Sequence, residues 1–246
     1  MLELSGLTIR AGDTALVENL SLDLATGRLT CLIGPSGCGK SSVVKWLSGV
    51  LAPELSAEGR VRMDGVTLTL PHPAIAYQPQ QDTLFPWLTI EENAALGLEI
   101  RGAARAAARG RVRALFPAFG LQGHYHSFPD QLSGGMRQRA AFLRTMVQNA
   151  PVLLLDEPFS ALDAVTRLRM QDWLTARLAA DPRAVLMVTH DLFEATQIAD
   201  RVLVMGRRPG RIVADMAIPT PRNDRTEASL AETRSMLRSL LLEDTP

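Results

Sequence analysis

The stretch GPSGCGKSS, residues 34–42, constrains the fold of this chain more than any other part of the sequence. Gly34, Gly39, Lys40 and Ser41 fit the pattern G-x-x-x-x-G-K-[ST], between the apolar run LTCLI and the helix-like segment SSVVKWLSGVL. In a strand–loop–helix setting, glycines let backbone N–H groups close around a phosphate, a lysine reaches its oxygens, and a serine hydroxyl can hold Mg²⁺. The pattern therefore predicts a nucleotide phosphate site in an α/β fold.

Every position of this loop is a candidate for nucleotide binding. The predicted binding residues are Gly34, Pro35, Ser36, Gly37, Cys38, Gly39, Lys40, Ser41 and Ser42. Cys38 is either a small residue that fits the loop or a redox switch. The chain has one other cysteine, Cys31, and the two form no CxxC pair, which indicates a reduced, cytosolic protein.

The overall composition excludes several classes of function. The 246 residues are 46% apolar, and 26 basic residues balance 26 acidic ones, so nothing electrostatic favours a nucleic-acid partner. No apolar run approaches the roughly 18 residues of a membrane span, and the N-terminus lacks the layout of a signal peptide. We therefore expect any membrane association to depend on a partner.

Strand-like and helix-like segments divide the chain into three regions: a core made of two separate stretches, a helical lobe and a tail. Strands and helices alternate in residues 1–81 and 151–220, as in a mainly parallel sheet covered by helices. Residues 82–150 are mostly helical and suggest an inserted lobe, and residues 221–246 form a C-terminal tail. We expect all three regions to belong to one domain, with a flexible joint at residues 219–225.

Two apolar strands end in polar residues that suit phosphate chemistry. VLLLDEP indicates a strand buried on both faces, so Asp156 and Glu157 lie at the edge of the sheet where ligands bind. We expect Asp156 to hold Mg²⁺ through water and Glu157 to act as general base towards the attacking water; the alternative is a solvated acidic turn. AVLMVTHD ends in His190, which either reaches the γ-phosphate or is structural.

The stretch LSGGMRQR, residues 132–139, predicts a second anion site without a lysine. Ser133, Gly134 and Gly135 open a helix, where free N–H groups and the helix dipole favour an anion. Since the first loop already holds one end of a triphosphate, this surface would face a γ-phosphate that a second subunit carries.

Five motifs in this order resemble the ATP-binding subunits of ABC transporters over nearly the whole chain. They are GPSGCGKS as Walker A, LSGGM as the signature, VLLLDE as Walker B, SALD as the D-loop and VTH as the H-loop. The resemblance implies a P-loop NTPase with an N-terminal antiparallel β subdomain and an inserted α-helical lobe. It further implies a head-to-tail dimer around two ATP molecules, with Ser133 and Gly135 on the γ-phosphate in trans and Asp163 linking the two sites.

The same resemblance places the Q-loop within YQPQQDTLFPWLT. Counting back from Pro86–Trp87 selects Gln80, with Gln78 as the alternative. In the family this glutamine senses Mg²⁺ and the attacking water, and its loop contacts a coupling helix of the membrane permease. Phe85 and Trp87 are either part of that contact or core residues of the helical lobe.

Two further features lie outside the five motifs: a series of arginines and the first β-hairpin. Arg101, Arg105, Arg109 and Arg113 recur every four residues and predict a basic stripe on one helix, either a solvated face or a lipid contact. Ala11 occupies the place where the family usually has an aromatic residue that stacks on adenine. We therefore expect poor discrimination between ATP and GTP, with aliphatic contact from a residue such as Val17.

Three segments resemble the nitrate/sulfonate/taurine-type importers, a group that includes uptake systems for thiamine-precursor pyrimidines. They are LFPWLTIEENAALGL, SALDAVTR and RRPGRIV. The resemblance implies a separate ATPase held by a permease at the cytoplasmic face of the bacterial inner membrane, served by an extracytoplasmic substrate-binding protein. The alternatives are a regulatory or mechanical ABC ATPase and an efflux ATPase.

Overall fold

A six-stranded sheet forms the centre of the protein. The computed structural model describes residues 1–207 and 209–243. The strands of this sheet are β3 Leu29–Ile33, β6 Ile75–Gln78, β7 Val152–Asp156, β8 Ala184–Val188, β9 Arg201–Met205 and β10 Ile212–Ala217. Their order in the sheet is β10-β9-β3-β8-β7-β6; all run parallel except β10, which pairs antiparallel with β9. Strands β3, β7 and β8 are buried along their whole length, as their unbroken apolar sequences predict.

A second sheet confirms the expected antiparallel β subdomain. Its strand order is β2-β1-β4-β5, with antiparallel pairing throughout. The apolar face of this sheet packs with the first helix, α1, in one buried cluster. The strands are β1 Leu2–Ala11, β2 Thr14–Leu24, β4 Leu55–Met63 and β5 Val66–Thr67, and α1 spans Lys40–Leu47.

Three helices fill the region predicted to be a helical lobe. These are α2 Ile90–Ile100, α3 Arg105–Leu115 and α4 Gly134–Met146. Aromatic rings join α4 to its surroundings, since Phe142 packs edge-on against Phe159 and Trp173. The other helices are α5 Ala164–Ala180, α6 Leu192–Ile198 and α7 Glu227–Glu243. Among the described residues, no helix is both long and apolar enough to cross a membrane.

The expected arginine stripe is wrong in its first member. α2 ends at Ile100, Arg101 is its C-cap, and Gly102 follows with a φ of 90°. Arg101 instead donates to the Pro73 carbonyl oxygen at 2.9 Å. A glycine in the left-handed region stops the helix, so the four arginines do not share one face.

The remaining three arginines form ion pairs with α2, while the side chains of Arg105 and Arg113 stay 67% and 53% exposed. Arg105 and Arg109 donate to Glu92 at 3.1 and 2.8 Å. Arg113 pairs with Glu91, whose side chain is only 1% exposed. These ion pairs tie α3 to the first turn of α2.

The expected flexible joint at residues 219–225 is fixed to the end of α6. Arg222 donates to the Ile198 carbonyl oxygen at 2.8 Å and to Asp200 at 2.6 Å, and Arg225 donates to the Gln197 carbonyl oxygen at 2.7 Å. The helix α7 that follows contributes buried leucines to the main core.

Candidate functional site

Close backbone packing gives the loop at residues 34–39 its shape. A Cβ on Gly34 would lie 2.3 Å from the Met205 carbonyl oxygen, and one on Gly39 would lie 2.6 Å from Cγ2 of Val17. Gly39 also has a φ of 105°, which favours glycine. The fold therefore requires glycine at both ends of the loop, directly before α1.

Lys40 provides the positive charge of this loop. Its ammonium group donates to the carbonyl oxygens of Gly34 and Pro35 at 2.8 and 3.0 Å. The loop opens on a cavity of about 330 Å³. That cavity is lined by Leu16, Ser36, Gly37, Gly39, Lys40, Ser41, Ser42, Glu157 and His190. The structure thus brings the end of β7 and the end of β8 to the same cavity as the loop.

Glu157 lies at the centre of the polar side chains in this region. Nε2 of Gln80 donates to Oε2 of Glu157 at 3.1 Å, and Nδ1 of His190 lies 3.1 Å from Oε1. Glu157 has a φ of 47°, a conformation that non-glycine residues rarely adopt. Its backbone N–H donates to the Val188 carbonyl oxygen at 2.9 Å, which fixes the turn. Strained backbone of this kind is concentrated at functional sites.

Asp156 and Ser41 form the second polar pair at the cavity. The Ser41 hydroxyl donates to Oδ1 of Asp156 at 3.1 Å. Burial raises the pKa of Asp156, as does the neighbouring Glu157 charge, whereas the hydrogen bond from Ser41 lowers it. A hydroxyl and a carboxylate are oxygen ligands of the kind that Mg²⁺ prefers. The described residues contain no group of three or more His, Cys, Asp or Glu side chains placed for a metal.

The two candidate glutamines have different environments. Gln78 is fully buried, and its Oε1 accepts a hydrogen bond from the Thr145 hydroxyl at 2.8 Å. Gln80 is exposed and contacts Glu157. This geometry favours Gln80 over Gln78 as the glutamine that acts at the site.

Ser133 begins the helix that the sequence predicts, outside the lining of the loop cavity. Ser133 is the N-cap of α4, and its hydroxyl accepts a hydrogen bond from the Met136 N–H at 3.3 Å. Neither it nor Gly134, Gly135 or Asp163 is among the residues that line the cavity. Asp163 caps α5 by accepting from the Thr166 N–H at 3.0 Å, a hydrogen bond that lowers the pKa of its carboxyl. Ser133, Gly134 and Asp163 are exposed, and Gly135 is partly buried.

Comparison with known proteins identifies the family to which this chain belongs. The family model described as ABC transporter matches residues 17–160. The aliphatic sulfonates import ATP-binding protein SsuB 2 of Burkholderia cenocepacia is 38% identical over 227 residues, 92% of this chain and 82% of that protein. The chain belongs to the ABC transporter family. It is an ATP-binding subunit of that family and an ATPase.

Two further relatives extend this comparison. The formylaminopyrimidine import ATP-binding protein ThiZ of Halalkalibacterium halodurans is 35% identical over 95% of this chain and 93% of its own. A solved structure of the ATP-binding cassette MJ0796, a dimer in a post-hydrolysis state with ADP and Pi, has a TM-score of 0.78 and 27% identity. It covers 90% of this chain, and all of MJ0796 is matched.

The structure of this ABC ATPase corrects the residue expected beside the nucleotide base. Val17 is fully buried and packs against Gly39, so it cannot reach the cavity. Leu16, the residue before it, lines the cavity instead. The strand alternates its side chains between two faces, and a one-residue difference therefore decides which side chain is available.

Gly210, in the RRPGRIV segment, supports the Walker A loop from behind. A Cβ on Gly210 would lie 2.1 Å from the Cys38 carbonyl oxygen and 2.3 Å from Cε of Met205. Its N–H donates to the Leu16 carbonyl oxygen at 2.8 Å. The sequence pattern alone did not single out this residue, because the close approach joins segments far apart in the chain.

A larger cleft of about 780 Å³ lies between the sheet edge and the helical lobe. Gln80, Phe85, Ile100 and Arg144 are among the residues that line it. Phe85 is 38% exposed and Trp87 is 70% exposed, and their rings are 5.5 Å apart. The alternative that these aromatic residues belong to the core of the lobe is therefore wrong.

Proposed function

We propose that two copies of this ATPase pack head to tail around two ATP molecules and power import through a separate permease. The separation of Ser133 and Gly135 from the cavity of their own chain supports this arrangement. A helix N-terminus with exposed N–H groups suits a γ-phosphate, and in this arrangement the partner copy carries it. The dimeric structure of the similar cassette MJ0796 is consistent with such packing.

The side chains around the cavity divide the work of hydrolysis. Residues 34–42, including the Lys40 ammonium, hold the phosphates. Ser41, Asp156 and Gln80 would hold Mg²⁺, which when bound would supply charge neutralisation for the phosphates. Glu157 accepts a proton from the attacking water, Gln80 orients that water, and His190 contacts the γ-phosphate.

The position of Glu157 between Gln80 and His190 is the observation on which this mechanism rests. Replacing Glu157 by Gln keeps the shape and both neighbours but removes the proton acceptor. We expect Glu157→Gln to bind ATP as tightly as the wild type and to hydrolyse it at least about 10²-fold more slowly, the scale of a lost general base. Steady-state phosphate release and equilibrium ATP titration measure the two quantities, and normal turnover would remove Glu157 from this role.

The permease would contact the cleft beside the Q-loop. Exposed aromatic residues are rare on surfaces that face only water and mark contacts with other proteins. Phe85 and Trp87 have this exposure. Phe85 lines the cleft together with Gln80, which contacts Glu157, and the Trp87 ring lies beside that of Phe85. A permease helix in this cleft would hold the ATPase at the cytoplasmic face of the membrane.

The names of the similar proteins suggest the class of cargo. SsuB 2 is named for aliphatic sulfonates and ThiZ for formylaminopyrimidine, so we propose import of a small organic anion or a thiamine-precursor pyrimidine, delivered by an extracytoplasmic binding protein. Co-purification with a permease tests this against a regulatory or mechanical ATPase. Loss of that complex in Phe85→Ser and in Trp87→Ser, with ATP hydrolysis by the isolated subunit unchanged, would identify the cleft and the adjoining Trp87 as the docking site.

A further inference from the structure

One face of α4 holds the segment that carries Gln80. Nε of Arg137 donates to Oδ2 of Asp82 at 3.0 Å, and Nε2 of Gln138 donates to the Gln80 carbonyl oxygen at 3.4 Å. The same amide donates to the Pro158 carbonyl oxygen at 3.3 Å, one residue after Glu157. The helix that begins at the signature therefore contacts both the Q-loop and the end of Walker B.

Arg144 makes the most extensive of these contacts. Its guanidinium donates to the carbonyl oxygens of Asp82 and Thr83, both at 2.8 Å, and to the Thr83 hydroxyl at 2.9 Å. A planar guanidinium fixes the relative positions of its acceptors, which a lysine ammonium does not. Three hydrogen bonds on two consecutive residues therefore define the path of the chain just after Gln80.

The backbone at this point would not keep its shape without support. Thr83 has a φ of 44°, a left-handed conformation that β-branched residues strongly disfavour. Burial lowers the pKa of Arg144, although the Asp82 charge opposes that shift. A partly desolvated cation bound to backbone carbonyls is a costly arrangement, and here it stabilises a strained turn.

We propose that Arg144 is a positioning residue for ATP hydrolysis: it fixes the Q-loop to the signature helix, so that Gln80 and Ser133 move as one unit. This inference rests on the roles proposed above for Gln80 and for the signature. Contact of the partner's γ-phosphate with Ser133 then sets the position of Gln80 beside Glu157 in the other site. Packed elements and hydrogen-bond networks carry coupling of this kind between two sites, and α4 with Arg137, Gln138 and Arg144 provides such a network.

Single substitutions separate this positioning role from a contribution to folding. We expect Arg144→Ala to lower kcat about tenfold or more, with the Kd for ATP within about twofold of wild type. Arg144→Lys keeps the charge but not the planar set of donors. Its kcat should lie between those of the wild type and Arg144→Ala. Arg225→Ala is the matched control, because Arg225 is also partly buried and donates to backbone carbonyls, but far from the site at Gln197 and Thr220.

A double-mutant cycle with Gln80→Ala gives a readout that a purely structural role would not change. If Arg144 acts through Gln80, then Arg144→Ala should lower kcat in the wild type and have little further effect when Gln80 is already alanine. Additive losses, unchanged kcat in both Arg144 variants, or an equal loss in Arg225→Ala would overturn the proposal. An active Glu157→Gln variant would instead contradict the proposed mechanism itself, so the two failures are distinguishable.

Discussion

Gly210 shows how a single residue outside the Walker A motif can determine its shape. Because its φ is outside the left-handed region, only the close approach to Cys38 requires glycine here. We expect Gly210→Ala to displace the loop and weaken ATP binding about tenfold or more, equivalent to about 1.4 kcal/mol. Isothermal titration measures the effect. Gly110→Ala is the control, since a Cβ there meets nothing within 4 Å, and an unchanged Kd for Gly210→Ala would show that the loop tolerates the displacement.

Ala11 lies on the exposed end of β1, where the family usually has an aromatic residue. Base–aromatic stacking is worth about 1–3 kcal/mol in single-stranded nucleic-acid binders. With only Leu16 as an aliphatic wall, we expect the wild type to discriminate poorly between ATP and GTP. Ala11→Tyr should tighten ATP binding about tenfold, near 1.4 kcal/mol.

Titration of both nucleotides against both proteins tests this expectation. A wild type that already strongly prefers ATP, together with no effect of Ala11→Tyr, would mean that another residue covers the base. The hypothesis about the first hairpin would then be wrong.

At the scale of residues, local sequence motifs were enough to predict that Asp156, Glu157 and His190 lie close to the loop. Their order along parallel strands predicts that they share one edge of the sheet. Leu16 and Gly210 could not be found in this way, since each depends on packing between distant segments. The choice of Leu16 over Val17 depends on which face of β2 turns towards the loop.

Among the secondary-structure elements, α2 and α3 are joined by ion pairs to a buried carboxylate. The side chain of Glu91 is 1% exposed and faces Arg109 and Arg113. Glu91→Gln removes the charged acceptor of these pairs, and hydrogen bonds to a charged group contribute more to stability than neutral ones. We expect Glu91→Gln to lower the free energy of unfolding by about 1–3 kcal/mol, measured by urea denaturation.

The exposed pair of the same interface provides the comparison. Arg105 is 67% exposed and pairs with Glu92, so Arg105→Ala should cost less than about 1 kcal/mol. Equal losses in both variants would show that burial does not set the strength of these pairs.

Helix ends were predictable where capping residues mark them. Thr89 and Glu92 form a capping box at the start of α2, which lies in the region predicted to be mostly helical. The break at Gly102 was missed because the arginine spacing continues across it. A four-residue spacing shows which residues could share a face, but only the backbone shows whether one helix connects them.

For the whole molecule, the alternation of strands and helices predicted the parallel sheet, and the five ordered motifs predicted the family and, through that resemblance, the antiparallel subdomain. Only the structure shows that the signature does not line the loop cavity. Ser133 does not line the loop cavity of its own chain, and we propose that it serves the nucleotide of another copy. Assembly is therefore the central claim of the proposed mechanism.

Light scattering during size-exclusion chromatography tests this claim most directly. We expect Glu157→Gln to have the monomer mass of 26.8 kDa without nucleotide and twice that mass with ATP and Mg²⁺, because bound ATP links the two copies. Adding Ser133→Asp to the Glu157→Gln variant keeps a good N-cap but places a negative charge against the γ-phosphate. This double variant should not dimerise, although each chain should still bind ATP. The neutral cap Ser133→Asn should retain the dimer. A dimer that forms without nucleotide, or one that persists in Ser133→Asp, would contradict the shared ATP site.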